Sequence, residues 1–282
     1  MKRPPILVLS AILSLALFLR LYRISALTEF LGDQGRTGIH IYEAVMRQAW
    51  PLLGPTVLTG QHLGPAFYYL IGPAFILGGF DPVWPAVFMA VVGVGSIYLL
   101  WVLSQKIFGW QIASLLSLVY ATSPNIVSQD RIIWEPNLIP FFGLLFVFSL
   151  YQIKEAKKLG YMLLLGVTLG ILVQLHYPNI FFLGLTLLFF AYLLINQKKL
   201  KLVRVWWKRG AVGFLAYLLA LSPFIYYEVT HNFVNLAGIA RVMLLSLGTA
   251  TSERSTLANF IDYAGRLIGG VVPLRSPWQI WF

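Results

Sequence analysis

The residues best suited to chemistry lie in one polar stretch, Phe30 to Tyr69, whose centre is Gly32-Asp33-Gln34-Gly35. The glycines let backbone approach a ligand closely, and a carboxylate at this place can serve as a general base. The stretch follows an apolar run, Ile6 to Leu21, that is long enough to cross a bilayer. A carboxylate beside a membrane, with basic and aromatic neighbours, suggests chemistry on a lipid-linked substrate. Asp33 could instead cap a helix that begins near Arg36.

Other polar side chains in the chain also have two interpretations, one functional and one structural. His62 lies at the mouth of a short apolar segment and could bind a metal ion or a phosphate, or simply be solvated. Arg131 suits bidentate phosphate recognition, although a surface network with Asp130 and Glu135 is an equal alternative. His176 directly follows an apolar run and could reach a cavity, or cap a helix. The candidate substrate contacts are Arg36, His62, Tyr69, Asp130, Arg131, Glu135 and His176.

The composition is that of an integral membrane protein. Of 282 residues, 59% are hydrophobic and only 11% are charged, whereas a soluble domain carries about 25% charged residues. The net charge of +11 does not indicate nucleic-acid binding, because the basic residues lie in short connectors between apolar runs. The chain contains no cysteine, which excludes disulfides, a thiol nucleophile and a cysteine-based metal site.

The order of apolar runs and basic connectors predicts seven crossings with the N-terminus inside. If Pro65–Phe80 dips into the membrane without crossing it, every lysine of the chain lies on the inner side. Of the ten acidic residues, only Glu155 lies there. The N-terminal run has no small-residue cleavage pattern, so we expect an uncleaved first span. The predicted spans are Ile6–Leu21, Trp84–Leu103, Ile112–Val127, Leu138–Ile153, Tyr161–Leu175, Ile180–Ile195 and Ala211–Tyr227.

This topology divides the chain into a transmembrane domain, 1–227, and an outer-face tail, 228–282. The first outer loop, 25–64, precedes the re-entrant segment, 65–80. Within that loop, apolar residues at helical spacing and charged residues on other faces predict an interfacial helix, ended by Trp50-Pro51. Val234–Leu247 could form a second such helix. The last six residues, 277–282, look like the start of a further span, so we expect a fragment or an unusually short form.

Three stretches, in this order, resemble motifs of one enzyme class. The first is the acidic outer-loop sequence Phe30-Leu31-Gly32-Asp33-Gln34, and the second is Gly64-Pro65-Ala66-Phe67-Tyr68-Tyr69. The third runs from Lys106-Ile107-Phe108-Gly109 through Ala121-Thr122-Ser123-Pro124 to Asp130-Arg131 and Glu135. Together they resemble the polyprenyl-phosphate-sugar-dependent glycosyltransferases of the GT-C class. The nearest group contains protein O-mannosyltransferases, the aminoarabinose transferases of lipid A and RgtA/B/C/D-like enzymes.

The resemblance implies an all-α bundle of transmembrane helices, with interfacial helices in the first outer loop, and a role for several residues. Asp33 matches the base that deprotonates an acceptor hydroxyl, whose oxygen attacks C1 of the sugar with inversion while polyprenyl phosphate leaves. His62 falls where some relatives have a glutamate associated with metal or substrate, so a divalent metal is an open possibility. Arg131 and Glu135 match a second-loop arginine and acid near the active site. The acidic pair often seen in the first loop is Asp33-Gln34 here.

The resemblance also implies partners and a location. The donor is a polyprenyl-phosphate sugar, the acceptor is a lipid, a glycan or a protein, and the site faces outward from the cytoplasmic membrane. Two rival hypotheses stay open: a transporter or flippase component for lipid-linked sugars, and a non-catalytic fragment. A flippase would be expected to carry charged residues along a path within its spans, and the predicted spans contain almost none.

Overall fold

The computed structural model describes residues 6–57, 60–156, 158–195 and 200–249, and these residues form helices without a strand. The all-α prediction is confirmed. The expected start of a span at 277–282 lies outside this range. In chain order the helices are α1 (Ile6–Leu21), α2 (Ile24–Leu27), α3 (Gly32–Met46), α4 (Ala66–Leu77), α5 (Val83–Phe108), α6 (Trp110–Thr122), α7 (Pro124–Gln129), α8 (Ile139–Ala156), α9 (Leu159–Leu175), α10 (Phe181–Ile195), α11 (Leu200–Thr230) and α12 (Val234–Thr249).

Four helical stretches in the described part of the chain are long and apolar enough to cross a membrane. They are Val83–Phe108, Glu135–Glu155, Tyr177–Ile195 and Lys208–Thr230. Helices α1, α6 and α9, which the sequence predicts as further crossings, are shorter, at 16, 13 and 17 residues. Seven crossings therefore stay a prediction. Helix α4 has 12 residues, or about 18 Å at 1.5 Å per residue, which is well below the thickness of the hydrocarbon core.

The predicted span Ile112–Val127 is interrupted in the structure. Helix α6 ends at Thr122, and α7 begins at Pro124 after the extended residue Ser123, whose φ and ψ are −61° and 117°. Proline lacks a backbone N–H and disfavours helical geometry in the residue before it. The break turns the chain at the point where it enters the loop that carries Asp130.

Helices α9 and α11 make the closest helix contact in the bundle. A Cβ atom built on Gly166 would lie 2.0 Å from the carbonyl oxygen of Gly213, and one built on Gly170 would lie 2.6 Å from the Cβ of Ala220. The two backbones therefore touch, as glycines four residues apart allow in membrane helices. Gln174 extends the contact, since its Nε2 donates to the carbonyl of Ala220 at 3.0 Å.

The largest hydrophobic core lies where α4, α5, α8 and α9 meet the short helix α3. Its fully buried members include Phe67, Ile71 and Phe75 of α4 and Ile41 of α3. Helix α4 continues through Pro73, although the Gly72-Pro73 pair weakens its prediction as a helix. The ring of Trp50 lies against Gly72, where a Cβ atom would be 2.8 Å from the ring. The first loop is therefore packed onto α4 along its length.

Candidate functional site

Helix α3 presents three faces, and Asp33 lies on the charged one. The buried face carries Gln34, Thr37, Ile41 and Ala44. An exposed apolar face carries Ile39, Tyr42 and Met46, and a face between these two carries the exposed residues Asp33, Arg36, His40, Glu43 and Arg47. A helix packed on protein along one side, with separate apolar and charged exposed sides, suits the edge of a membrane.

Asp33 is placed by the first turn of α3, which begins at Gly32 rather than near Arg36. The amide oxygen of Gln34 accepts the N–H of Leu31 at 3.0 Å and so caps the helix. The Asp33 carboxylate is therefore left for other contacts. Its Oδ1 lies 3.6 Å from Nη1 of Arg36, and both side chains are more than half exposed. Such an exposed ion pair is worth little free energy and opens easily to a substrate.

The aromatic side chains around α4 fix the loop that follows α3. The hydroxyl of Tyr69 donates to the carbonyl of Pro51 at 2.8 Å, and the rings of Trp50 and Tyr69 meet edge to face at 5.7 Å. Tyr69 therefore holds the loop on α4. A contact between Tyr69 and substrate stays a prediction.

Glu135 approaches the charged face of α3 from the second predicted outer loop. It begins a 3-10 turn, Glu135–Leu138, and its carboxyl group interacts electrostatically with that of Asp33. Tyr68 lies in the same region. Burial raises the pKa of the Tyr68 phenol, and the charge of Glu135 adds to the rise whereas that of Arg36 opposes it. Of the predicted site residues, Arg36 and Glu135 thus interact electrostatically with Tyr68, while Asp33 pairs with Arg36.

Asp130 forms a buried ion pair with Arg20 of α1. Its Oδ2 accepts a hydrogen bond from Nε of Arg20 at 2.8 Å, and Nη2 of Arg20 lies equally close. Arg20 is completely buried, and its Nη1 also donates to the carbonyls of Ala16 and Ala121. Burial raises the pKa of Asp130, while the charge and the hydrogen bond of Arg20 oppose that rise. The Asp130 carboxylate also packs closely against α5, since a Cβ atom built on Gly93 would lie 2.4 Å from it.

Arg131 caps the end of α1. Its Nε donates to the carbonyl of Arg20 at 3.0 Å, and its Nη2 donates to the carbonyls of Leu19 and Tyr22. A cation at a helix C-terminus is favoured by the helix dipole. Burial and the nearby charge of Arg20 lower the pKa of Arg131. The guanidinium is occupied by backbone carbonyls, and phosphate binding by Arg131 stays a prediction.

His62 lies in a clamp made by two distant residues. Asn235 of α12 accepts the N–H of His62 at 2.7 Å and donates to its carbonyl at 2.6 Å, and the Tyr177 hydroxyl donates to the same carbonyl. The ring Nδ1 lies 3.1 Å from the carbonyl of Gly54. Because a carbonyl only accepts, Nδ1 is the donor in this arrangement, and the neutral imidazole then has its lone pair at Nε2. His62 can therefore offer Nε2 to a substrate hydroxyl.

His176 follows α9 in an extended conformation, and its buried Nδ1 has no hydrogen-bond partner. No described hydrogen bond or ion pair joins His176 or His62 to Asp33 or Glu135 within residues 6–57, 60–156, 158–195 and 200–249. The predicted site residues thus form separate groups: Asp33 with Arg36 and Glu135, Asp130 with Arg131 at the end of α1, and His62 beside Tyr177.

The described side chains include no cluster of the kind that holds a metal ion by itself. Within the described ranges, no three residues of the histidine, cysteine, aspartate and glutamate types are placed to hold one. Asp33 and Glu135 supply two carboxylates, and His62 belongs to a different group of contacts. No step of the reaction is therefore assigned to a metal.

Sequence reasoning overlooked four residues that hold these groups in place. Arg20 and Gln174 are single polar side chains within apolar runs, which is a signal that they pair inside the protein. Asn235 and Glu228 carry no such signal. Glu228 is almost fully buried and its Oε2 accepts the N–H of Leu236 at 3.0 Å, so it caps α12, the helix that carries Asn235.

Comparison with protein families gives one match that covers most of this arrangement. The model of the dolichyl-phosphate-mannose-protein mannosyltransferase family matches residues 62–227. The matched region includes His62, the pair Asp130-Arg131, Glu135 and His176, and it begins after α3. A comparison with curated proteins gives no match.

Proposed function

The chain belongs to the dolichyl-phosphate-mannose-protein mannosyltransferase family, and from this premise we propose that it transfers a sugar from a polyprenyl-phosphate-linked donor to an acceptor hydroxyl. The family is one of membrane glycosyltransferases of the GT-C type. We place the reaction at the outer face of the cytoplasmic membrane, with the N-terminus inside. The transferred group is a hexose or a pentose, and the acceptor is a lipid, a glycan or a protein.

The observation that carries this proposal is the exposed position of Asp33 on the charged face of α3, where it pairs loosely with Arg36. Asp33 takes the proton of the acceptor hydroxyl while the hydroxyl oxygen attacks C1 of the sugar. The bond between C1 and the phosphate oxygen breaks, and polyprenyl phosphate leaves with the electron pair. Attack from the side opposite the phosphate inverts the configuration at C1.

Arg36 can meet the leaving phosphate once its loose pair with Asp33 opens, because the phosphate leaves on the side of C1 opposite the attacking hydroxyl. It shares the exposed face of α3 with Asp33, whereas the guanidinium of Arg131 is bound to carbonyls of α1. An arginine aimed at developing phosphate charge lowers the barrier more than it strengthens ground-state binding. The exposed apolar side of α3, with Ile39 and Met46, is consistent with a helix lying beside the lipid tail of such a donor.

Glu135 supplies the second negative charge that relatives often place next to the first-loop aspartate. The neighbour of Asp33 in the sequence, Gln34, is buried and caps α3, so the position after Asp33 does not face the site. Glu135 reaches the neighbourhood of Asp33 from another loop. As the bond to phosphate breaks, positive charge develops on the sugar ring, and a carboxylate beside the ring stabilises it.

The proposal is tested by offering the purified chain defined radiolabelled polyprenyl-phosphate sugars together with membrane extracts. We expect label to move into an acceptor, with the opposite anomeric configuration at C1 in the product. Retained configuration would contradict the direct displacement by Asp33. Movement of the donor across a liposome bilayer without any transfer would favour a flippase instead.

Replacement of Glu135 by Gln tests the second carboxylate. We expect kcat to fall by about tenfold or more with KM almost unchanged, because the lost charge acts mainly in the transition state. Glu155→Gln is the matched control, since Glu155 is exposed near the other end of the same helical stretch. An unchanged kcat, or a change confined to KM, would remove Glu135 from the proposed chemistry.

A further inference from the structure

An apolar groove of about 660 Å³ runs between α9, α10 and α11, within the range of roughly 300–1,000 Å³ found for small-molecule sites. Two of its lining residues, Thr186 and Tyr217, carry a side-chain oxygen, and the Thr186 hydroxyl donates back to the carbonyl of Phe182 at 2.8 Å. The other lining side chains are apolar or absent. The groove therefore suits a hydrocarbon chain rather than a polar ligand.

The groove exists because two of the three helices touch and the third stands apart. Helices α9 and α11 meet backbone to backbone at Gly166 and Gly213, whereas α10 buries only Phe182 and Leu193. Leu187 of α10 lines the groove and is 72% exposed. The gap is consequently open on the side that faces lipid in a membrane.

One end of the groove is basic. Gly210 and Ala211 line it there, and they directly follow Lys208, which is exposed, and Arg209. The predicted topology puts this end at the cytoplasmic surface, where anionic lipids are attracted by clustered lysines and arginines.

We propose that the groove holds an acyl chain of an anionic phospholipid of the inner leaflet, with the lipid phosphate at Lys208. The apolar lining accounts for the chain, and the basic end accounts for a negative headgroup. This site does not depend on the proposed transfer reaction. A polyprenyl-phosphate donor would carry its phosphate at the opposite, outer surface beside α3.

The test measures lipid retention by the purified full chain with native mass spectrometry. Phosphatidylglycerol and phosphatidylcholine with identical acyl chains are offered in equal amounts. We expect wild-type protein to retain phosphatidylglycerol over phosphatidylcholine by about fivefold, and Lys208→Gln to lose most of that preference. Leu187→Trp fills the groove and should lower the retention of both lipids.

Two matched variants serve as controls. Leu188→Trp adds the same ring at an exposed position of α10 outside the groove, and Lys154→Gln removes an exposed charge at the end of α8. Both should behave as wild type. Equal retention of the two lipids, unchanged retention by Leu187→Trp, or displacement of phosphatidylglycerol by polyprenyl phosphate would overturn the proposal.

A second measurement covers the case in which Leu187→Trp does not fold. The chain has no cysteine, so Leu187→Cys introduces a single thiol in the groove. An apolar maleimide should label it more slowly in nanodiscs of phosphatidylglycerol than in nanodiscs of phosphatidylcholine. Equal labelling rates in the two lipids would contradict an anionic lipid as the occupant. A thiol that another segment of the chain covers in both kinds of nanodisc would contradict it as well.

Discussion

Replacing Asp33 by Asn should abolish sugar transfer while leaving the protein folded. The carboxylate is the proposed acceptor of the hydroxyl proton, and the loss of a general base typically lowers the rate by about 10²- to 10⁴-fold. Asn preserves the shape of the side chain, which is 70% exposed and makes one loose contact with Arg36 at 3.6 Å. The measurement is kcat for transfer from a polyprenyl-phosphate sugar, with the melting temperature recorded in the same preparation.

Glu43→Gln is the matched control for this substitution. Glu43 lies on the same charged face of α3, and its carboxylate makes a similarly loose contact with Arg47 at 3.8 Å. Loss of charge from this face alone should therefore leave kcat near the wild-type value. If Asp33→Asn transfers sugar at the wild-type rate, Asp33 is not the base, although the family membership is unaffected. If both variants lose activity equally, the charged face acts through electrostatic attraction of the substrate.

The positions of the helices were largely predictable, because long apolar runs carry their own signal. Helix α1 has the predicted bounds, Ile6–Leu21, and α9 and α10 begin within two residues of their predicted starts. The break at Ser123 could have been found as well, since Pro124 directly follows it. The first-loop helix was predicted from its spacing, but its start at Gly32 depends on the cap by Gln34, which no periodic pattern shows.

The candidate site was less predictable, because its partners are far apart in the chain. The sequence indicates that Asp130 and Arg131 are a charged cluster, yet their partners lie in and after α1, about a hundred residues earlier. The main-chain groups of His62 bond to Asn235, whose amide is an ordinary polar group in an otherwise unremarkable tail. A single sequence shows which polar side chains are costly to bury without a partner. It does not show which other residue will form the hydrogen bond or ion pair.

The buried pair of Arg20 and Asp130 joins the two predicted outer loops. Asp130 binds Arg20, and Arg131 binds the carbonyls at the end of α1. The second loop is thus fastened to the point where the first loop begins. Asp33 follows thirteen residues after Arg20, and Glu135 follows five residues after Asp130. We propose that this junction limits how near Asp33 and Glu135 can come, although neither Arg20 nor Asp130 needs to touch substrate.

Asp130→Asn should consequently destabilise the protein strongly. Removal of one partner leaves the guanidinium of Arg20 buried without a counter-charge, which typically costs about 3–5 kcal/mol. Arg47→Gln, which breaks the exposed pair with Glu43, should cost no more than about 1 kcal/mol. The measurement is the free energy of unfolding in detergent, or the melting temperature where unfolding is irreversible.

The double variant Arg20→Met/Asp130→Leu decides whether the pair stabilises the fold or positions the second loop relative to the first. Replacement of both buried charges by apolar side chains of similar size is often neutral for stability, so the double variant should melt near the wild-type temperature. It also lacks the directional hydrogen bonds that Arg20 makes to Asp130 and to the carbonyls of Ala16 and Ala121. If these bonds set the position of the second loop, transfer should stay impaired in the stable double variant because Glu135 is no longer held beside Asp33. Full activity in the double variant would show that packing alone brings the two loops together. A wild-type melting temperature for the single variant Asp130→Asn would show that the pair is not buried in the membrane-embedded protein.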